Sequence, residues 1–308
     1  ACRNPDGQIV IHETELNQKV YRGRLAKTPF LRGVVLLWDA LGLGTRALMW
    51  SADVALDEEE AAFEGPLGWG TMAVSFTIAI GLFFLLPLFA SRGIDAGVAQ
   101  LFGTSGAEGI AISFWQSFTV NALEGVVRLI MIIGYIWAIG HLPDVKRLFG
   151  YHGAEHKTIN AYEAGDDLTS EVVARYPIEH PRCGTAFLLN VAVVSILVFA
   201  ILGNPGGWVG WVYLVVTRIV FIPVIAGIAY EWLRWTAKNS EKGWVSWLIK
   251  PNLALQHLTT NEPDDGMIET AIVAFKRVLL SEGMIEESEA QIPDARPEMA
   301  NPMPGAAD

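Results

Sequence analysis

The residues best equipped for chemistry stand together in one short stretch, Tyr151-His152-Gly153-Ala154-Glu155-His156-Lys157. In a helix, His152, Glu155 and His156 fall at i, i+3 and i+4 and so share one face. Glu163, seven residues beyond His156, returns to that face. Two imidazoles one turn apart form a bidentate seat for Zn²⁺ or a similar divalent ion. An unligated glutamate between them could accept a proton from a water on that ion. The next loop, His180-Pro181-Arg182-Cys183-Gly184, adds an imidazole and a thiol, either of which could complete a tetrahedral site. The competing reading is an interfacial helix whose histidines make ordinary hydrogen bonds and whose Glu155 pairs with Lys157 or a lipid headgroup.

These residues must be positioned by a chain that is not an ordinary soluble domain. Of its 308 residues 52% are hydrophobic, the mean hydropathy is +0.34 and eleven are tryptophan. Four apolar runs, 71–90, 120–140, 185–203 and 208–230, approach or exceed the length of about 20 residues that crosses a bilayer. The expected fold is therefore an all-α integral membrane protein. It has about four transmembrane helices, interfacial amphipathic helices and a small N-terminal β-hairpin. Residues 1–28 hold the hairpin and a basic segment, and 29–70 an interfacial helix and acidic linker. The four-span domain covers 71–260, with the histidine loop at 141–184. An amphipathic helix at 261–281 and a disordered tail at 282–308 follow.

Local signals support these divisions. Asn4-Pro5-Asp6-Gly7 is a turn before a β-rich stretch. Arg32, Asp39 and Arg46 recur every seven residues, opposite Leu31, Val34, Trp38, Leu41, Leu48 and Met49. That pattern reads as a helix lying in the headgroup plane, with a buried hairpin as the runner-up. Gly165 should end the histidine helix, and Asp264-Asp265 should open an amphipathic helix with Ile268, Ile272, Phe275 and Leu279 on one side. Trp232, Trp235, Trp244 and Trp247 form an aromatic group at headgroup level. There is no internal repeat.

Charge supplies orientation and exclusions. The net charge of −11 argues against nucleic acid as a partner. Lys and Arg number seven before the first span, one in the 91–118 loop, five in 141–184, none in 204–207 and seven after the last span. The positive-inside rule then places both termini and the histidine loop in the cytoplasm, with the lipid bilayer as the first partner. Two cysteines, Cys2 and Cys183, make a disulfide framework unexpected, and Cys183 reads as a reduced thiol.

The topology brings the histidine helix, His180, Cys183 and Glu231 to one boundary. A metal on His152 and His156, with Cys183, His180 or Glu231 as a further ligand, would keep a position open to water. The plainer alternatives are a small helix-start residue for Cys183 and a surface carboxylate paired with Arg234 for Glu231. Within the membrane, Glu124 and Arg128 lie one turn apart, and Arg218 falls at a similar depth in the last span. Intramembrane charges default to a functional reading, although a structural Glu124–Arg218 bridge locking two helices is the favoured one.

The motifs His152-Gly-Ala-Glu-His-Lys-Thr-Ile-Asn160, Tyr162-Glu163-Ala-Gly165, His180-Pro-Arg-Cys-Gly-Thr185, Tyr230-Glu231 and Leu255-Gln-His-Leu-Thr-Thr-Asn-Glu-Pro-Asp-Asp265 resemble the YqhQ-like family. The resemblance reaches to about residue 280. It implies a bacterial inner-membrane protein of a group labelled as metal-dependent enzymes of unknown function. That family usually opens with a Gly-rich segment upstream of the Pro5-Asp6-Gly7 turn, whereas this sequence begins at Ala1. H-x-x-E-H is also the inverted zincin signature. The first functional expectation is thus a membrane metalloenzyme. It would hydrolyse a lipid-linked or membrane-bound substrate, with Glu155 as general base and zinc as the ion. The alternative is a non-enzymatic scaffold, assembly factor or accessory subunit of a membrane complex, or a homo-oligomer. A transporter is the weakest reading, since no midplane pathway is evident.

Overall fold

The computed structural model describes residues 1–14, 23–55, 66–82, 86, 87, 90, 114–202 and 207–290. At the N-terminus β1 (Cys2–Arg3) and β2 (Ile9–Val10) pair antiparallel around the turn, where Gly7 takes φ 82°. Arg3 reaches across to Glu269 at 2.8 Å and to the Gly266 carbonyl. The helices that follow are α1 (Arg24–Lys27), α2 (Leu31–Ala55), α3 (Pro66–Ile80), α4 (Phe114–Ile139), α5 (Pro143–Ala164) and α6 (Ser170–Val173). Then come α7 (Gly184–Ile201), α8 (Gly207–Val220), α9 (Ile222–Lys238), α10 (Gly243–Gln256), α11 (Asp265–Ser281) and α12 (Glu287–Ala290).

The amphipathic pattern of 30–50 does make a helix, and α2 is continuous, so no hairpin forms there. Leu31, Trp38 and Leu48 of its apolar side are exposed, as suits a lipid-facing surface. Its first turn instead grips α9. A Cβ on Gly33 would sit 2.7 Å from the Ala226 carbonyl oxygen and 2.8 Å from Gly227 Cα, so only glycine allows this crossing.

Among the described residues, two helices are long and apolar enough to cross a membrane, Asn121–Ile139 within α4 and Gly184–Ile201 (α7). A third exists if α8 and α9 count as one, bent by 43°. The straight helix expected over 208–230 is therefore broken at Phe221. Pro223 supplies the cause: it lacks an N–H, clashes with the preceding turn, and is tolerated here in the first turn of α9. The first expected span, 71–90, is helical through Ile80 and otherwise lies partly outside the described residues. So do the acidic stretch 57–64, most of the 91–118 loop and the tail from 291. Residues 282–290, expected to be disordered, form a turn and α12.

The described helices pack around two cores. In one, α7, α9 and α2 enclose Ala186, Phe187, Ala226, Ala229 and Leu233, with α4 against α7. In the other, α5, α6 and α11 enclose Ala154, Ala161, Val173, Met267, Ile268 and Ile272. Asp264 caps α11, accepting from the Met267 amide at 2.8 Å. The period-3.6 stripe of α11 then buries Ile268, Ile272 and Leu279, each contributing about 2 kcal/mol by area. The histidine helix belongs to the second core and Cys183 to the edge of the first.

Candidate metal centre

α5 starts at Pro143, whose missing N–H costs nothing in a first turn, and ends at Gly165 in the left-handed conformation, φ 79°. Its middle is pressed against residues 259–261. A Cβ on Gly153 would lie 2.2 Å from the Asn261 carbonyl oxygen, which makes glycine obligatory beside His152. This approach lets His152 Nδ1 donate to the Thr259 carbonyl at 2.8 Å. One turn on, His156 Nδ1 donates to the Ile178 carbonyl at 2.5 Å, and the two rings meet edge to face at 4.4 Å. Cys183 is the N-cap of α7. Its sulfur accepts from the Thr185 amide at 3.3 Å, lies 3.1 Å from Thr185 Oγ1, and is 3.2 Å from His152 Nε2.

Both histidines thus spend Nδ1 on a backbone carbonyl and leave Nε2 for the centre. One ligand atom each from His152, His156 and Cys183 lies within 4.8 Å of the others. Tetrahedral zinc needs separations of roughly 3.3–3.8 Å, so closure asks for a shift of about an ångström. Imidazole orientation by a carbonyl on the far nitrogen is the usual support of a ligating histidine. A set of two nitrogens and one sulfur suits zinc better than a hard ion. Burial pushes the Cys183 thiol up, but hydrogen bonds with His152, His156 and Thr185 outweigh it and bring the pKa down to about 5. Burial lowers His152, yet its bonds to Cys183 and the Thr259 carbonyl prevail and raise it. The metal-free cluster is thereby biased towards a thiolate sharing a proton with imidazole, the form an ion would displace.

A family model described as Protein of unknown function (DUF1385) matches residues 28–281, a range that takes in the whole cluster. The chain belongs to that family. It is also 31% identical over 302 residues to Uncharacterized protein YqhQ of Bacillus subtilis (strain 168), covering 94% of this chain and 89% of the relative. The YqhQ-like resemblance seen in the motifs therefore extends through both cores. No solved structure matches. With two to three membrane-length helices among the described residues, the chain is membrane-associated.

The other candidate residues surround the centre or lie apart from it. His180 is buried with its ring 5.9 Å from that of His156, but its nitrogens are engaged. Nδ1 accepts from the Arg182 amide at 3.3 Å, and Nε2 faces Glu163 at 3.5 Å. Burial lowers its pKa against the opposing pull of Glu163. Glu163 also pairs with Arg182 at 2.8 Å, so it ties α5 to the loop before Cys183. Glu155 does not share the inward face expected for it. It is exposed and lines a groove of about 300 Å³ between α5 and α11 with Tyr151, Thr158, Ala271 and Phe275. Lys157, its suggested partner, is buried on the Ala174 and Tyr176 carbonyls and Glu262.

Glu231 is used elsewhere. Its carboxylate is gripped by Arg32 through two hydrogen bonds and also accepts from the Phe30 amide at 3.0 Å. The carboxylate is thus turned to α2 rather than to the His152 cluster, and Arg234 acts on it only through its charge. In α4 and α8 the Glu124–Arg218 pair forms, and Arg128 joins it.

Sequence reasoning missed Gln256. Fully buried, it accepts from the His180 amide and donates to the His180 carbonyl, both at 2.9 Å, and so fixes the loop that presents Ile178 and Cys183. Its signal was present: Val245, Ile249, Asn252 and Gln256 repeat at helical spacing, which marks a buried face ending in two amides.

Proposed function

We propose that this chain is a multi-pass protein of a bacterial inner membrane that holds a divalent ion, the zinc its donors suit, on His152, His156 and Cys183. It would hydrolyse a lipid-linked or membrane-bound substrate at the cytoplasmic boundary. The observation behind this reading is the convergence of one ligand atom from each of two imidazoles and a thiol within 4.8 Å, with each imidazole oriented by a carbonyl. The ion would supply Lewis acidity at that point. Glu155 faces the groove beside α11 and would have to turn towards the ion to accept the proton of the attacking water. Four spans with both termini cytoplasmic follow from the Lys and Arg distribution. An impermeant thiol reagent added outside should then reach a cysteine introduced in 91–118 and miss one in 160–175.

A second reading, a structural site in a scaffold or complex subunit, draws on burial: His156 is 2% and Cys183 5% exposed. Glu155→Gln separates the two, because it keeps the shape and removes the proton-accepting charge. Metal per purified chain should fall to near zero in the His152→Ala, His156→Ala double variant and stay at the parent level in Glu155→Gln. On the enzyme reading Glu155→Gln nevertheless fails to complement a deletion strain, a role worth about 10²–10⁴-fold in rate. Normal complementation by Glu155→Gln would leave the structural reading. Loss of its metal would make Glu155 a ligand.

A further inference from the structure

Helix α10 has two unlike faces. Val245, Ile249, Asn252 and Gln256 are buried on the side where α10 packs against α7. On the other side Trp244 is 60% and Trp247 68% exposed, and Pro251 and Ala254 continue the same stripe, both exposed. The aromatic surface does not stop at α10. Trp232 and Trp235 of α9 are also exposed, and rings 232–235 and 235–244 each lie 5.5 Å apart, a ladder joining the two helices. Arg234, Lys238, Lys242 and Lys250 accompany it against one carboxylate, Glu241.

Four exposed indoles would be an unfavourable patch in water. They are the side chains that settle at the headgroup layer, where the ring is half apolar and its N–H finds a partner. Lysine and arginine stems lie along such a surface with their charges on anionic headgroups. The patch also continues directly from α9, the second half of the bent membrane-length pair.

We infer that α10 docks in the headgroup layer of the bilayer that α4 and α7 cross, with Trp244 and Trp247 towards the acyl chains. The flanking cations select lipid over a protein partner as the occupant. The opposite end of this helix, about 21 Å away by its rise, holds the site: Gln256 clamps His180, and the Thr259 carbonyl orients His152. The consequence that the cluster is held at headgroup depth, where a lipid-borne substrate would meet it, rests on the metal reading. The docking itself does not.

The test uses the full chain in vesicles of phosphatidylcholine and phosphatidylglycerol. The emission lost in the Trp244→Phe, Trp247→Phe variant is that of the docked pair. Lipids brominated high on the acyl chain should quench that emission about twofold or more, lipids brominated near the chain end less, and aqueous acrylamide little. Free quenching by acrylamide overturns the inference. So does protection from both quenchers, which would mean that protein covers the stripe. If the double variant does not fold, Trp247→Phe alone gives the same readout at the more exposed ring. Metal content of the same sample reports separately on the cluster, so the two readings fail independently.

Discussion

Glu124, Arg128 and Arg218 form a buried cluster in α4 and α8 in which the carboxylate is fully engaged. Oε1 accepts from Arg128 Nη2 at 2.7 Å and Arg218 Nε at 3.1 Å, and Oε2 from Arg218 Nη2 at 2.5 Å. Arg218 also lies over the Phe199 ring at 5.0 Å. His152, His156 and Cys183, between α5 and α7, are arranged differently: hydrogen bonds to carbonyls fix the rings, and the atoms that converge are lone-pair donors. The first cluster joins two helices by opposite charge. The second keeps its bonding capacity pointed inward. Burial of polar groups alone therefore does not mark a site; what matters is whether the partners consume the reactive atoms or only orient them.

The contrast is most easily broken at Glu124. Glu124→Gln removes the carboxylate shared by two buried guanidiniums and should destabilise the chain in detergent by about 3–5 kcal/mol while leaving bound metal unchanged. Combined with Arg218→Gln in a double-mutant cycle, the effects on denaturation midpoints should be non-additive by about 0.5–3 kcal/mol. Strict additivity would mean the pair does not act as a unit.

Gln256→Ala probes the second cluster without touching a proposed ligand. It strands a buried amide and carbonyl of His180, a loss of about 1–3 kcal/mol. By loosening the loop that carries Cys183 it should also weaken metal retention about 10–100-fold, read by competition with a chelator. Retention at the parental level would show that the loop needs no clamp.

The smallest effect is expected at Glu231. Its pair with Arg32 is partly exposed, at 20% and 18% for the two side chains, so Glu231→Gln should lower stability by no more than about 1 kcal/mol. Metal content should not change. A fall in metal content would return Glu231 to the ligand set.

The helices of this chain were legible because each rests on local signals: the apolar runs of α4 and α7, Gly165 closing α5, and Asp264 capping α11. The pairing of His152 with His156 was legible for the same reason, since i and i+4 meet in any helix. The break at Phe221 was within reach through Pro223, but the uniform hydropathy around it masked a single missing N–H.

The sequence by itself determined the membrane character, the family, the histidine turn and a short set of possible third ligands. Tertiary structure gave those candidates different surroundings. It brought Cys183 to His152, gave Glu231 to Arg32, turned Glu155 to the groove beside α11, and recruited Gln256 and the Thr259 carbonyl from more than seventy residues away. Which carboxylate meets which cation, and which carbonyl meets which ring, depends on how two cores pack against one another. Residue type and spacing along one helix carry no record of that docking, because the atoms that settle it belong to distant backbone.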